Sequence, residues 1–434
     1  MKSKKQILAN DKKFLWHPFT QSSSADNPII ISSAKDEKLF DIDGNEYIDL
    51  ISSWWVNTHG HCRNEMINSV FSQSKKLEQV LFAGFTHDPA VELAARIVDI
   101  LPENLSRVFY SDNGSTSVEV AMKVAVQYWY NVGKKKTKFI ALSGGYHGDT
   151  FGAMSVGKTT GFYKPFEKLL NQNFFIPFPE DWWGNNQVEE SERLALDAAY
   201  DIVEKEKDQI AAVILEPLVQ GAGGMKICRK EFLDKLVKIF KDSGILVIFD
   251  EVMTGFGRTG RMFATDHLTM TPDIICLAKS LTGGFIPLAA TVFSEEIHKV
   301  FVDTNFNKTF LHGHSFSANP VACAAALSSL NLFKTDETFT QINEISQIHN
   351  DCLEKISKLQ DISRIRKLGT IAAFDFKKIS EGYGSSESIA IREKFLENGL
   401  LLRPLGNTIY FMPPYCIRKE ILINSYEKLI EILQ

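Results

Sequence analysis

The sequence has no Cys-x-x-Cys pair: its six cysteines (Cys62, Cys228, Cys276, Cys323, Cys352 and Cys416) are scattered along 434 residues. That spacing excludes a disulfide scaffold and a zinc ribbon, and it fits a reducing compartment. A cationic excess is missing too, since 48 Lys and Arg stand against 53 Asp and Glu, for a net charge of −5. Nucleic-acid binding needs a basic stripe. The short clusters Lys4-Lys5, Lys12-Lys13 and Lys134-Lys135-Lys136 are too brief for one and read as solvated faces. No apolar run approaches the ~18 residues a membrane span needs; the longest clear one, Phe285 to Phe293, is interrupted by Pro287. The basic N-terminal stretch is followed by polar residues rather than a signal-peptide core. The expectation is a cytoplasmic protein with no nucleic-acid or membrane partner.

What is present is ordinary globular material. Hydrophobic residues make up 44% and charged residues 23%, enough to bury a large core, and the length gives a prior of two or three domains. Residues 29 to 50 read as β-hairpins: Pro28 to Ile31, Lys38 to Ile42, an Asp43-Gly44-Asn45 turn, then Glu46 to Leu50. From about residue 60, short apolar runs alternate with longer helical periods. Val108 to Tyr110, Lys138 to Leu142, Ala211 to Leu215, Ile245 to Phe249 and Asp273 to Leu277 are the runs. Continuously apolar strands separated by helices predict an α/β fold with a mostly parallel sheet covered on both faces. After about residue 325, strands at Ile371 to Phe376 and Thr408 to Met412 set between helices predict a smaller α+β domain. The expected division is 1–58, an N-terminal segment packing with the small domain; 59–328, a large domain; and 329–434, the small one.

Ligands of open α/β sheets bind beyond the carboxyl ends of the strands, so the residues that follow each strand are the ones to weigh. Val108 to Asp112 leads into Asn113, Gly114 and Ser115 and then a helix, a turn whose free amides suit a phosphate. Its plainer reading is an ordinary helix cap. Asp250 directly follows an all-apolar strand and either holds a cation there or caps a helix. Lys279 stands two residues past another apolar strand, beside Gly283-Gly284, where burial lowers an amine's pKa as a Schiff-base lysine needs. Its plainer reading is a snorkelling surface lysine. The three in this order are the parts needed to hold pyridoxal 5'-phosphate. His59-Gly60-His61 and His312-Gly313-His314 lack Cys or carboxylate ligands at a useful spacing, so no metal is expected. A nucleotide-binding G-x-x-x-x-G-K-[ST] loop is absent, and Gly221 to Gly224 reads as a turn.

Four blocks carry a resemblance over nearly the whole chain: Gly145-Tyr146-His147-Gly148-Asp149-Thr150, Glu216-Pro217 to Gly224, Asp250-Glu251 to Gly260, and Leu277 to Gly284. By them the sequence resembles the class III aminotransferases of fold type I, which use pyridoxal phosphate. Further blocks, Trp16 to Thr20, Ser52-Ser53-Trp54-Trp55, His312 to Ser315 and Arg403 to Pro414, are similar to the branch that aminates 8-amino-7-oxononanoate to 7,8-diaminononanoate in biotin biosynthesis.

The resemblance implies that Lys279 joins the cofactor as a Schiff base and then moves the proton, while Asp250 pairs with the ring nitrogen. It implies that Gly114 and Ser115 bind the phosphate through backbone and hydroxyl donors, and that Tyr146 stacks on the ring. His314 and Ser315 would reach that phosphate from the other subunit of a homodimer. Trp54 would line the substrate tunnel, and Phe19, Trp55, Tyr146, Lys279 and the Gly313 backbone would also contact substrate. Arg403 would bind the distal carboxylate as a fork. Plainer readings are core packing for Trp54-Trp55, ion pairs for Arg258 and Arg403, and an organising role for Glu216. Phe19 and His314-Ser315 look like the branch using lysine as amino donor, whereas Trp54-Trp55 and the tail from Arg403 look like the S-adenosylmethionine users. The expected donor is S-adenosylmethionine, with lysine, or an ω-amino acid or ornithine-type reaction, as the alternative.

Overall fold

The structure is a computed structural model that describes residues 3–23, 25–157, 163–382 and 384–434. Among these, seven strands form the central sheet. Their order is Leu105–Ser111, Ala289–Ser294, Ile274–Leu277, Leu246–Asp250, Ile210–Leu215, Lys138–Leu142 and Phe174–Ile176. Every pairing from Ile274–Leu277 to Phe174–Ile176 is parallel. Only Ala289–Ser294 runs against its two neighbours. Ile210–Leu215 and Ile274–Leu277 are buried at every residue, as strands must be when helices cover both faces.

Two of the seven strands escape a reading by apolar runs. Phe174–Ile176 is three residues long, too short for a period. Ala289–Ser294 begins after Pro287, so the proline that interrupts the apolar run lies outside the strand. At the N-terminus the first strand is Ile31–Lys35, not Pro28 to Ile31. Its residues are nearly all exposed; backbone pairing with Lys38–Asp41 sets its position, not burial of the preceding apolar residues. Lys38–Asp41 then pairs with Glu46–Asp49 across the expected turn.

The C-terminal sheet is antiparallel, in the order Ile362–Leu368, Ile371–Phe376, Thr408–Phe411. Its first strand carries Arg364, Arg366 and Lys367 and so has no apolar signature. Arg366 is nevertheless buried, with its guanidinium 2.9 Å from Asp375 Oδ1 and 3.1 Å from Thr408 Oγ1. Paired charge takes the place of apolar burial there. Glu46–Asp49 adds Leu400–Leu401 as a parallel neighbour, so the N-terminal strands join the C-terminal part of the chain. No helix among the described residues is long and apolar enough to cross a membrane.

Gly369 (φ +56°) ties these parts together, because a Cβ there would stand 2.3 Å from the Gly260 amide nitrogen and the Thr259 carbonyl carbon. Gly44 (φ +88°) faces open space. Gly369→Ala should cost about 3 kcal/mol or more, against about 1 kcal/mol for Gly44→Ala, where only the left-handed backbone is strained. Urea unfolding of both variants checks this; equal losses would contradict the packing described.

Candidate active site

Two neighbouring parallel strands end side by side. Asp250, the last residue of one, is in register with Cys276 of the next, and three residues later comes Lys279. Lys279 has φ 45°, a left-handed conformation that costs a non-glycine residue roughly 1–3 kcal/mol and marks functional sites when it persists. The Asp250 carboxylate is buried. Its Oδ2 lies 2.7 Å from Nδ1 of the buried His147, and its Oδ1 accepts the Val252 amide at 3.1 Å. The Lys279 amine stands 5.0 Å from the centre of the Trp55 ring.

Burial sets the protonation of this group. It pushes the Lys279 amine below its ordinary value, helped by Arg258 and opposed by the carboxylates of Asp250 and Glu216. An amine so placed loses its proton more readily and becomes a nucleophile. Burial alone would lower His147, but its hydrogen bond and charge attraction to Asp250 outweigh that and raise it. Glu216, which accepts the Tyr146 amide at 3.0 Å and the Gly221 amide at 2.9 Å, is pushed up to about 7, chiefly by burial. Glu216 thus organises its neighbours and titrates near neutrality.

The helix Gly114–Asn131 points its N-terminus at the same place. Asn113 caps it, its side chain accepting the Thr116 amide at 3.1 Å; the first amides of a helix have no carbonyl partner within it. Gly114 is required by packing: a Cβ would stand 2.5 Å from Val252 Cγ1, and its absence lets the turn after Asp250 lie against the helix end. The Ser115 hydroxyl is engaged with Thr150. It accepts the Thr150 amide at 3.1 Å and lies 2.7 Å from Thr150 Oγ1. Thr150 Oγ1 itself donates to Glu119 Oε1 at 2.6 Å, so the Ser115 proton is committed to Thr150. The first backbone amides of this helix are what it offers an anion.

A third element is the turn Ser52–Trp55. Ser52 (φ 51°), Ser53 (φ 60°) and Trp55 (φ 67°) are all left-handed. The Ser52 hydroxyl donates to the Met412 carbonyl at 2.8 Å. The turn splits its two tryptophans. Trp54 is 40% exposed, 5.5 Å from the Phe19 ring and 4.9 Å from the Arg403 guanidinium, so three expected substrate residues meet from far apart in the chain. Trp55 is buried, donating from Nε1 to the Tyr410 hydroxyl at 2.9 Å. It packs in the core beside the lysine, in surroundings quite different from those of Trp54.

Tyr146 is half-buried, and burial together with Asp149 raises its hydroxyl well above the ordinary value. Arg258 is completely buried and donates to the carbonyls of Pro413 (3.0 Å) and Asn57 (3.3 Å). Among the described residues it is held by carbonyls and makes no ion pair. His314 accepts the Phe316 amide at 3.2 Å and has a buried Nε2 with no partner among the described residues. Gly313 and Ser315 are exposed, and the Ser315 carbonyl accepts from Gln79 Nε2 at 2.7 Å. His59 bonds the Ser329 hydroxyl, His61 the Asp49 carboxylate and His312 the Lys123 amine. Reading by strand ends missed His147, although it adjoins Tyr146 in the first of the four blocks; its pairing with Asp250 spans 103 residues and needs the fold.

A family model described as aminotransferase class-III matches residues 20–433. An adenosylmethionine-8-amino-7-oxononanoate aminotransferase of Synechococcus elongatus is 47% identical over 96% of this chain and 98% of its own. One of that name from Helicobacter pylori is 38% identical over 100% and 99%. Among solved structures, the enzyme of that name from Methanocaldococcus jannaschii superposes with a TM-score of 0.92 at 34% identity, covering 99% of each chain. A PLP-bound amine transaminase from an uncultivated Pseudomonas species gives a TM-score of 0.90 at 28% identity, over 97% of this chain and 98% of its own.

The raised carboxyl of Glu216 makes a prediction about stability. Between the unfolded value near 4.5 and the folded value of about 7, the unfolded chain ionises while the folded chain keeps its proton. Stability from this group is therefore full below pH ~4.5 and falls as pH rises to about 7. His147, also raised, acts in the same sense. Glu216→Gln should gain stability relative to the parent on going from pH 5 to pH 7.5 in urea unfolding of the apoprotein. A difference that does not change with pH would refute the assignment.

Proposed function

The chain belongs to the class-III aminotransferases, fold type I enzymes that use pyridoxal 5'-phosphate, and from that premise we propose that it transfers an amino group from S-adenosylmethionine to 8-amino-7-oxononanoate, giving 7,8-diaminononanoate. The names of the relatives that match over nearly their whole length support both substrates. The observation that carries the reading is a half-buried lysine and a buried carboxylate just past the ends of adjacent parallel strands, with a helix N-terminus beside them.

These residues fit the cofactor. A half-buried amine with lowered proton affinity, a buried carboxylate clamped by His147, and helix-end amides are the groups that an aldehyde, a pyridine nitrogen and a phosphate require. Pyridoxal phosphate, when bound, supplies an aldehyde that carries the amino group and a ring that accepts the electron pair left when a proton departs. The protein does the rest. Asp250, held in place by His147, would keep the proton on the ring nitrogen. Lys279 Nζ would be the base that carries the proton. The amides of Gly114 and Ser115 would hold the phosphate, and Tyr146 would flank the ring. Arg403 takes the acceptor's distal carboxylate as a fork. Trp54 and Phe19 cover its aliphatic chain and keep water from it. The donor leaves as a keto product before the acceptor enters.

On this reading residues 59–328 hold the cofactor, 329–434 form the smaller domain, and the N-terminal 1–58 pack on it. The enzyme is a cytoplasmic homodimer in which His314 and Ser315 approach the partner's phosphate site, with Gly313 near its substrate. Support for that face comes from Leu81, Phe85, Leu311 and Phe316, each more than 60% exposed, on two segments joined by the Gln79–Ser315 bond. Large apolar residues so clustered mark an interface.

Lys279→Ala should lower kcat by roughly a thousandfold or more, since proton transfer and the amine are lost together. Arg403→Ala should raise the KM for 8-amino-7-oxononanoate by about 10–100-fold with a much smaller change in kcat, as expected when a charge-assisted hydrogen bond to the ground state is removed. Retained turnover in the first, or an unchanged KM in the second, would remove those roles. For the donor, the absorbance of the bound cofactor is followed on adding S-adenosylmethionine or lysine alone. Conversion by S-adenosylmethionine is expected, and conversion by lysine only would reverse the choice. Activity only on ornithine or 4-aminobutyrate would reject the acceptor.

A further inference from the structure

We propose that Asp49, which has no place in the chemistry above, is a positioning residue that fixes where Trp54 and Trp55 stand by clamping the left-handed turn Ser52–Trp55. The proposal rests on the site as read under the proposed function, and it deepens that reading.

Asp49 is completely buried, and a buried carboxylate is tolerated only when its lone pairs are filled. Those lone pairs are filled almost entirely by this turn. Oδ1 accepts the Ile51 amide at 3.2 Å and the Ser53 amide at 2.9 Å; Oδ2 lies 2.7 Å from the same Ser53 amide and 3.3 Å from the Ser53 hydroxyl. The remaining direction is taken by His61, whose Nε2 lies 2.9 Å from Oδ2. Both partners are anchored from outside the turn. The Asp49 amide donates to the Glu37 carbonyl at 2.8 Å, and His61 exchanges two backbone hydrogen bonds with Asp36, at 2.7 and 3.1 Å.

The clamp has something to hold. Three of the four turn residues have positive φ without being glycine, and Ser53 pairs φ 60° with ψ −82°, a combination L-residues avoid. Strain of this kind persists only where the surroundings over-determine it. The two aromatic rings that the turn carries face in functionally separate directions, Trp54 to Arg403 and Trp55 to Lys279. A carboxylate that releases Ser53 would therefore let both rings shift together. An Asp at this place joins the substrate-carboxylate residue and the lysine through one backbone turn, which is a preorganising role.

The test uses full-length Asp49→Ala and Asp49→Asn, the second keeping one acceptor oxygen. Three quantities are read: the near-ultraviolet circular dichroism of tryptophan in the apoprotein, cofactor occupancy by absorbance, and KM and kcat for 8-amino-7-oxononanoate. In Asp49→Ala the tryptophan band should weaken and KM rise at least tenfold, with occupancy within twofold of the parent. Asp49→Asn should fall between. A folded Asp49→Ala with an unchanged band and KM within twofold overturns the proposal. If Asp49→Ala does not fold, Asp49→Asn decides: parental band and KM mean a structural role only, and a changed band with a raised KM upholds it. Should the parent itself fail to aminate this acceptor, the substrate reading fails separately, and the tryptophan band of the apoprotein still decides the role of Asp49.

Discussion

A carboxylate taken out of water needs a partner, and the site is arranged around how Asp250 finds one. The central strand Leu246–Asp250 delivers it to the carboxyl end of the sheet, where His147 meets it at 2.7 Å. From there its charge acts on both Lys279 and Glu216. Lys279 lies in that field yet is desolvated enough for its proton to be labile. The sheet therefore supplies more than a scaffold: because the two strands are parallel neighbours with Asp250 opposite Cys276, the acid and the amine are brought together by backbone register.

Packing around this pair explains which residues have no freedom. Gly114 is a glycine because Val252, two residues past Asp250, occupies the space of its Cβ. Gly148 is one because Ser115 does the same, with its Oγ 2.2 Å from the Cβ position. These two contacts press the helix Gly114–Asn131, the Tyr146–Gly148 turn and the strand end of Asp250 into one unit. On the far side, the Ser52–Trp55 turn is fastened to the C-terminal strand through Ser52–Met412 and Trp55–Tyr410. The N-terminal segment, the large sheet and the C-terminal sheet each contribute, so the site exists only when all three are folded against one another.

Much of this was legible in the chain. Asp250 and Lys279 follow apolar strands, and a strand end is where an α/β sheet places its ligands. The resemblance brought Phe19, Trp54 and Arg403 to attention, and they do meet around one indole ring. What was not legible depends on distant partners. The Ser115 hydroxyl is turned to Thr150 by Glu119, a network invisible to a motif. Trp54 and Trp55 are adjacent in sequence yet part company because the turn between them is left-handed. The strand Ile362–Leu368 hides behind three cationic residues, one of which is neutralised only by Asp375 in the folded state.

The central claim, that Lys279 is the residue covalently joined to the cofactor beside the Asp250–His147 pair, is open to a direct chemical reading. The holoenzyme is reduced with borohydride, digested, and its peptides are mapped by mass. The account requires a single pyridoxyl label on the lysine that follows Ala278, at stoichiometric yield. A label on any other lysine, or none in a preparation that carries the cofactor, would contradict it.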